Sequence, residues 1–426
     1  MRNVLTLLFS LLFSVILFAQ DNYLYCGKIF DTQSGKVLSN KTIVVSGTKI
    51  TKILDGFVSK SNPQDTEIDL KNKFILPGLI DMHVHIEKET NSASYSTKFT
   101  ENEADVAFES VRIAEITLLA GFTTVRDLGG TGVNISLRNA INRGTVKGPR
   151  IFTAGKSIAT TGGHADPTNG SSRKLMGDPG PLEGVINSPE DAVKAVRQRY
   201  KEGADVIKIT STGGVLSVAK NGKNPQFTLE EVKAVTATAK DYGMLTAAHA
   251  HGDEGMQRAI LGGIKTIEHG TFMSSETMEL MKKYDVYLVP TITAGKSVAE
   301  NAKTTGFYPE MVRIKALEVG PQIQATFEKA YKSGVKIAFG TDAGVFPHGI
   351  NAKEFGYMVE AGMPSTAAIQ SATFTNAKLL GMENEIGQIK ENFNADIIAV
   401  DENPIDTIAT LEKVIFVMKD GVVYKN

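Results

Sequence analysis

The middle of the chain repeats one unit: an amphipathic helix, a glycine turn, then a short apolar strand ending in a polar residue. Few folds accommodate such a repeat. Leu118-Leu-Ala-Gly121 leads into Thr123-Thr-Val-Arg-Asp127, and Lys201-Glu-Gly203 into Val206-Ile-Lys208-Ile. Asp241-Tyr-Gly243 leads into Leu245-Thr-Ala-Ala-His249, Leu261-Gly-Gly263 into Thr266-Ile-Glu-His269, and Lys332-Ser-Gly334 into a strand reaching Asp342. Glycine just past a helix takes the left-handed cap conformation at little cost. Ser188-Pro189 with Asp191, and Thr228 with Glu231, fit capping boxes at helix starts. Eight strands are expected, near Ile75–Asp81, Thr123–Leu128, Arg150–Ala154, Val206–Thr210, Leu245–His249, Thr266–His269, Tyr287–Thr291 and Val335–Thr341. Alternating strands and helices in this number predict an α/β chain with a parallel (β/α)₈ TIM-like barrel. An open doubly wound sheet would gather its chemistry at one switch point, whereas here polar residues end many strands.

Both chain ends have a different texture. Cys26 to Asp31, Lys41 to Val45 and Lys49 to Ile53 are short β-branched runs separated by Gly, Ser and Asn. Asp396 to Val400 and Val414 to Met418 repeat that texture, and Asp420-Gly421 reads as a hairpin turn. Residues 20–76 and 385–426 are therefore expected to form one composite β-sandwich domain, and 77–384 the barrel.

The first 19 residues read as a secretory signal peptide. Arg2 opens it, Val4 to Phe18 is apolar except for Thr6, Ser10 and Ser14, and Ala19 offers a cleavage site. The run is shorter than the ~20 residues a spanning helix needs, so no stable membrane insertion is expected after cleavage. The mature protein is expected in the periplasm or outside the cell. Cys26 is the single cysteine, which leaves no intrachain disulfide. A net charge of −1 argues against nucleic acid as a partner. A small molecule or dipeptide is the expected partner, with a homo-oligomer left open.

The seven histidines carry the sharpest signal. His83, His85, His164, His249, His251, His269 and His348 all fall at the C-terminal end of an expected strand or in the loop that follows. In a barrel those ends converge on one face. His83 and His85 alternate along a strand and so point the same way, an arrangement that suits a divalent metal such as zinc. His249, His269 and Asp342 end later strands. Lys208 lies inside an apolar strand, where an isolated ammonium must lose its proton, find an acid or be modified. Arg126 and Asp127 read as a structural ion pair.

Taken together, Pro77-Gly-Leu-Ile-Asp-Met-His83-Val-His85, Val206-Ile-Lys208-Ile, Ala248-His249-Ala-His251-Gly, Ile267-Glu-His269-Gly and Phe339-Gly-Thr-Asp342-Ala-Gly resemble the amidohydrolase superfamily. Gly121 to Asp127, Thr161-Gly-Gly-His164, Lys208 and Pro347-His348-Gly are most similar to its imidazolonepropionase-like and Xaa-Pro dipeptidase (prolidase-type) branch. The resemblance implies two divalent metals, with zinc the expected ion. His83, His85 and Asp342 would bind one metal, His249 and His269 the other, and a CO₂-carboxylated Lys208 would bridge them. It also implies hydrolysis of Xaa-Pro or Xaa-hydrophobic dipeptides by metal-activated hydroxide, with Asp342 as proton shuttle. Hydrolysis of another amide, lactone or cyclic amide is the alternative, and a metal-binding protein without turnover is a third. Lys208 counts against imidazolonepropionase itself, which lacks that lysine. His164, in a Gly-rich stretch from Lys156 to Glu183, and His251 and His348 are candidates to bind substrate. Support of His249 competes with that role for His251, and loop packing competes with it for His348.

Overall fold

A computed structural model describes residues 20–426; the expected signal segment lies outside the described residues. The parallel strands are β1 (Leu79–Val84), β2 (Phe122–Asp127), β3 (Arg150–Thr153), β4 (Val206–Thr210), β5 (Leu245–Ala250), β6 (Thr266–His269), β7 (Tyr287–Val289) and β8 (Lys336–Ile337). β1 to β3 form one ladder and β4 to β8 another. Single bridges close the ring between them, Ile158 with Ile209 after β3 and Val84 with Ala343 after β8. At those seams the Ile158 amide donates to Lys208 O at 2.8 Å and the Asp342 amide to His83 O at 2.7 Å. The chain is a TIM-like barrel with helices packed around it.

The helix signals act as expected. Ser188 accepts from the Asp191 amide, Pro189 opens the helix Pro189–Glu202, and Gly203 ends it at φ 96°. Thr228 and Glu231 form a reciprocal capping box on Leu229–Asp241. Each helix turns an apolar face inward: Ala192, Ala195 and Val196 in the first, Val232, Val235 and Ala239 in the second. They pack against strand residues such as Val125, Ile207 and Ile267 in one continuous core.

The chain ends form a single mixed sheet. Its order is Val422–Lys425, Phe416–Lys419, Ile397–Val400, Thr66–Pro77, Asn22–Phe30, Val37–Ser46 and Lys49–Asp55. The edge strand Lys49–Asp55 folds back onto the segment that precedes Ile397–Val400, the Ile50 amide donating to Phe393 O and the Ala395 amide to Thr48 O, both at 2.9 Å. The two resulting layers enclose Leu24, Cys26, Ile43, Ile397, Phe416 and Met418. Asp420 and Gly421 take φ 47° and 75°, the left-handed pair that a two-residue hairpin requires. Arg150 joins the two halves of the molecule: on β3, it pairs with Asp396 at 2.7 Å and Asp420 at 2.5 Å.

One boundary differs from expectation. Ile75 to Pro77 belong to the terminal sheet, where Ile75 pairs with Ala399, and the first barrel strand begins only at Leu79. Two buried strands in succession give one unbroken apolar run, so hydrophobicity alone cannot divide them. Gly78 does divide them: a Cβ there would lie 2.0 Å from Thr123 Oγ1.

Cys26 is fully buried in the terminal sheet, and burial pushes its thiol well above the usual range. A native sample titrated with Ellman's reagent should therefore show no fast-reacting thiol, and one per chain after unfolding in guanidinium. Stoichiometric labelling of the folded protein would contradict this packing.

Candidate metal centre

The C-terminal ends of the barrel strands open onto a cavity of about 330 Å³. Its floor holds His83, His85, Lys208, His249, His269 and Asp342, with His164 and His251 beside them. β1 supplies His83, and the residue just past its end is His85; β4 supplies the lysine, β5 and β6 a histidine each, and the segment after β8 the aspartate. Three non-glycine residues here have positive φ: His269 (72°), Thr291 (52°) and Asp342 (60°). Such backbone costs about 1–3 kcal/mol each and persists only where its surroundings fix it.

Hydrogen bonds on the outer ring nitrogens fix the imidazoles. His83 Nδ1 donates to Glu268 Oε2 at 2.9 Å, and His85 Nδ1 to Gly129 O at 2.7 Å. His249 Nε2 donates to Gly213 O at 3.0 Å, and His269 Nδ1 lies 2.7 Å from Thr291 Oγ1. At His85 burial is outweighed by the Asp342 carboxylate, which raises the ring above its usual value. A carbonyl or carboxylate only accepts, so the inner nitrogens of His83 and His249 keep their lone pairs. Burial reinforces this. It holds His83 down at about 4, with the Lys208 charge adding to the effect, and keeps His249 and His269 well below the usual imidazole value.

Asp342 Oδ1 is buried with no hydrogen-bond partner, 3.4 Å from His83 Nε2 and 3.3 Å from His85 Nε2. Lone pairs facing a carboxylate oxygen repel unless a cation lies among them. Ligands held 2.0–2.1 Å from a tetrahedral ion are about 3.4 Å apart, close to these separations. Ligand atoms of His83, His269 and Asp342 all lie within 4.8 Å of one another. The residues present thus fit a metal, and the bonded outer nitrogens are the support that metal-ligating histidines require.

Behind the floor lies a buried polar layer that sequence reasoning missed. Burial alone would raise Glu268, but Arg126 and the His83 hydrogen bond hold it down at about 2. Arg126 Nη2 donates to Glu268 Oε1 at 2.8 Å, and its Nε to Met82 O at 2.6 Å. Arg126 therefore does not pair with Asp127 as expected. Neighbours on a strand face opposite ways, and Asp127 instead accepts from the Ile86 amide and the Asn134 side chain. Asp81 accepts from the His83 and Thr341 amides, the Thr341 hydroxyl and the Asn351 side chain, tying β1 to the segment after β8. Glu354 accepts from the Ile292 and Thr293 amides at 2.7 Å each, which fixes the turn that carries Thr291. Asp81 and Glu268 carried the same signal as Lys208, a charge inside an apolar strand. Glu354 carried none.

Of the three substrate candidates, two reach the cavity. His164 stacks on His249 with centroids 4.3 Å apart, and His251 stacks on His269 at 5.0 Å. His348 does not line the cavity. It lies behind β1, its Nδ1 2.7 Å from Thr117 Oγ1 and its Nε2 3.2 Å from His85 O, so protein groups occupy both nitrogens. Lys208 is buried among these side chains, and burial lowers its ammonium to about 8.

Residues 74–424 match the model of the Amidohydrolase family. The protein belongs to that family. A crystal structure of an Xaa-Pro dipeptidase with methionine bound in its active site is similar over 96% of this chain and 100% of that one, at 54% identity and a TM-score of 0.93. A prolidase complexed with N-methylphosphonate-L-proline is similar over 96% and 100% of the two chains, at 29% identity and a TM-score of 0.87. Ochratoxinase of Aspergillus niger is 30% identical over 429 residues, covering 96% of this chain and 87% of that protein. This amidohydrolase is accordingly a hydrolase of amide bonds, from a family that generally binds metal ions.

Replacing Arg126 by Met leaves Glu268 buried without its cation, a loss of about 3–5 kcal/mol. An acid whose folded pKa lies above its unfolded value favours folding as pH falls, so the deficit relative to wild type should shrink from pH 7 to pH 5. Urea unfolding at both pH values checks this; an unchanged midpoint at pH 7 would show that Glu268 does not depend on Arg126.

Proposed function

We propose that this amidohydrolase is an exported dipeptidase that cleaves Xaa-Pro and Xaa-hydrophobic dipeptides at a two-metal centre. The carrying observation is the joined cavity. The imidazole floor opens directly into an apolar chamber walled by Val215, Leu216, Val298, Val319, Ile323 and Val345. A peptide carbonyl can rest on the floor while an apolar side chain fills the chamber. Likeness over nearly the whole chain to an Xaa-Pro dipeptidase supports the substrate class.

His83, His85 and Asp342 would hold one divalent ion and His249 and His269 the other, with zinc the favoured metal. When bound, such ions make hydroxide available near neutral pH and polarise the scissile carbonyl. The lowered basicity of Lys208 leaves a neutral amine within reach at mild pH. That amine adds to CO₂, releasing one proton and gaining the anionic carbamate that would bridge the ions. Asp342 takes the proton of the attacking water and delivers it to the departing nitrogen. His164 and His251 hydrogen-bond the substrate from the cavity wall. Residues 1–19 would direct export to the periplasm or beyond. No helix among the described residues is long and apolar enough to cross a membrane. Hydrolysis of a different amide bearing a bulky apolar group is the second reading, favoured by the apolar chamber and the likeness to ochratoxinase.

A panel of dipeptides assayed with zinc and bicarbonate tests the proposal. Xaa-Pro and Xaa-hydrophobic members should turn over fastest, and inactivity on all of them would end the dipeptidase reading. Asp342→Asn should lower kcat by at least about 100-fold while leaving the fold intact. Lys208→Ala should reduce bound metal from about two ions per chain, measured by elemental analysis; undiminished metal would refute a bridging lysine.

A further inference from the structure

The loop after β4 supplies Val215 and Leu216 to the apolar chamber, and a buried lysine from elsewhere in the chain holds it in place. The loop closes at its neck, where Thr212 bridges Pro225 and the Gly213 amide donates to Asn224 O at 3.1 Å. Beyond the neck the loop carries no regular secondary structure. Lys315, on the helix Glu310–Lys332, reaches into it. Its Nζ donates to Gly214 O and Ser217 O at 2.7 Å each and to Ala219 O at 2.9 Å. All three donors of the ammonium are used and no carboxylate pairs with it, although the residue is only 6% exposed. Burying an ammonium in this way is costly unless its hydrogen bonds are complete. One turn further along the same helix face, Glu318 pairs with Lys223 at the outer edge of the loop. Tyr95 donates to Leu216 O at 2.8 Å. The same loop supplies Gly213 O to His249. It also brings Gly214 so close under His164 that a Cβ there would lie 2.2 Å from the ring.

We infer that Lys315 is a specificity-determining positioning residue. By ordering the β4 loop it keeps Val215 and Leu216 as a fixed wall, and so sets the preference for an apolar side chain. The substrate side of this inference rests on the dipeptidase reading; the ordering of the loop does not. Three carbonyls converging on one point suit a rotating ammonium, whereas the planar fork of arginine fits them less well.

The test compares wild type, Lys315→Met and Lys315→Arg as metal-loaded full-length proteins. One arm measures kcat and KM on paired dipeptides that differ only in leucine or glycine. In Lys315→Met the leucine preference should fall about tenfold, mainly through KM, a size typical of losing an apolar contact. Lys315→Arg should recover part of it. The second arm follows trypsin cleavage after Lys220 and Lys223, which should be about tenfold faster in Lys315→Met at an unchanged Tm. If Lys315→Met does not fold, Lys315→Arg should show both effects in weaker form. Wild-type selectivity or wild-type proteolysis in a folded variant would overturn the inference. If wild type cleaves no dipeptide, the substrate reading fails while the proteolysis arm still decides whether Lys315 orders the loop.

Discussion

The Glu268 carboxylate, buried between the Arg126 guanidinium and the His83 imidazole, is the interaction on which the floor of the cavity depends. It joins β6 to β2 and β1 at the centre of the barrel, where no solvent can replace a missing partner. Arg126 keeps Glu268 ionised. Ionised Glu268 fixes the proton on His83 Nδ1, and that leaves Nε2 free to face Asp342. Asp81, Thr291, Gly129 and Gly213 do comparable work for the neighbouring ligand candidates.

Much of this was legible in the sequence, for identifiable reasons. Glycine caps and capping boxes are local, so the repeat betrayed the barrel. Histidines were confined to strand ends, and the barrel topology then required them to converge. Ile75 to Pro77 misled, because a sheet strand running directly into a barrel strand gives one apolar stretch. Arg126 misled because an adjacent opposite charge looks like a partner, although strand alternation turns the two side chains apart. His348 looked like its six companions, but its loop folds behind β1. Glu354 and Lys315 could not have been foreseen. Each meets its partners across roughly 60 to 100 residues of chain, and neither lies in a strand-end pattern.

The floor of the cavity and its apolar chamber are built largely from different parts of the molecule. The reactive floor is built on strand ends that the closed barrel fixes. The apolar chamber is built on the β4 loop and on the helices Ile292–Asn301 and Glu310–Lys332. Those two helices pack closely because glycine lies at their contact: a Cβ on Gly295 would meet Ile323 at 2.6 Å, and one on Gly320 would meet Ala299 at 2.4 Å. The chamber thus draws mainly on loop and helix residues, and the β4 loop links it to the floor through the Gly213 carbonyl that orients His249. An Xaa-Pro dipeptidase and an ochratoxinase are both similar to this chain along nearly its whole length.

The most direct measurement is anomalous X-ray diffraction from zinc-loaded crystals, with data collected on both sides of the zinc absorption edge. Two anomalous peaks should appear at the β-strand ends, one among His83, His85 and Asp342 and one beside His249 and His269, with extra density continuing from the Lys208 side chain. Zinc-loaded crystals with no anomalous peak among these residues would contradict the account.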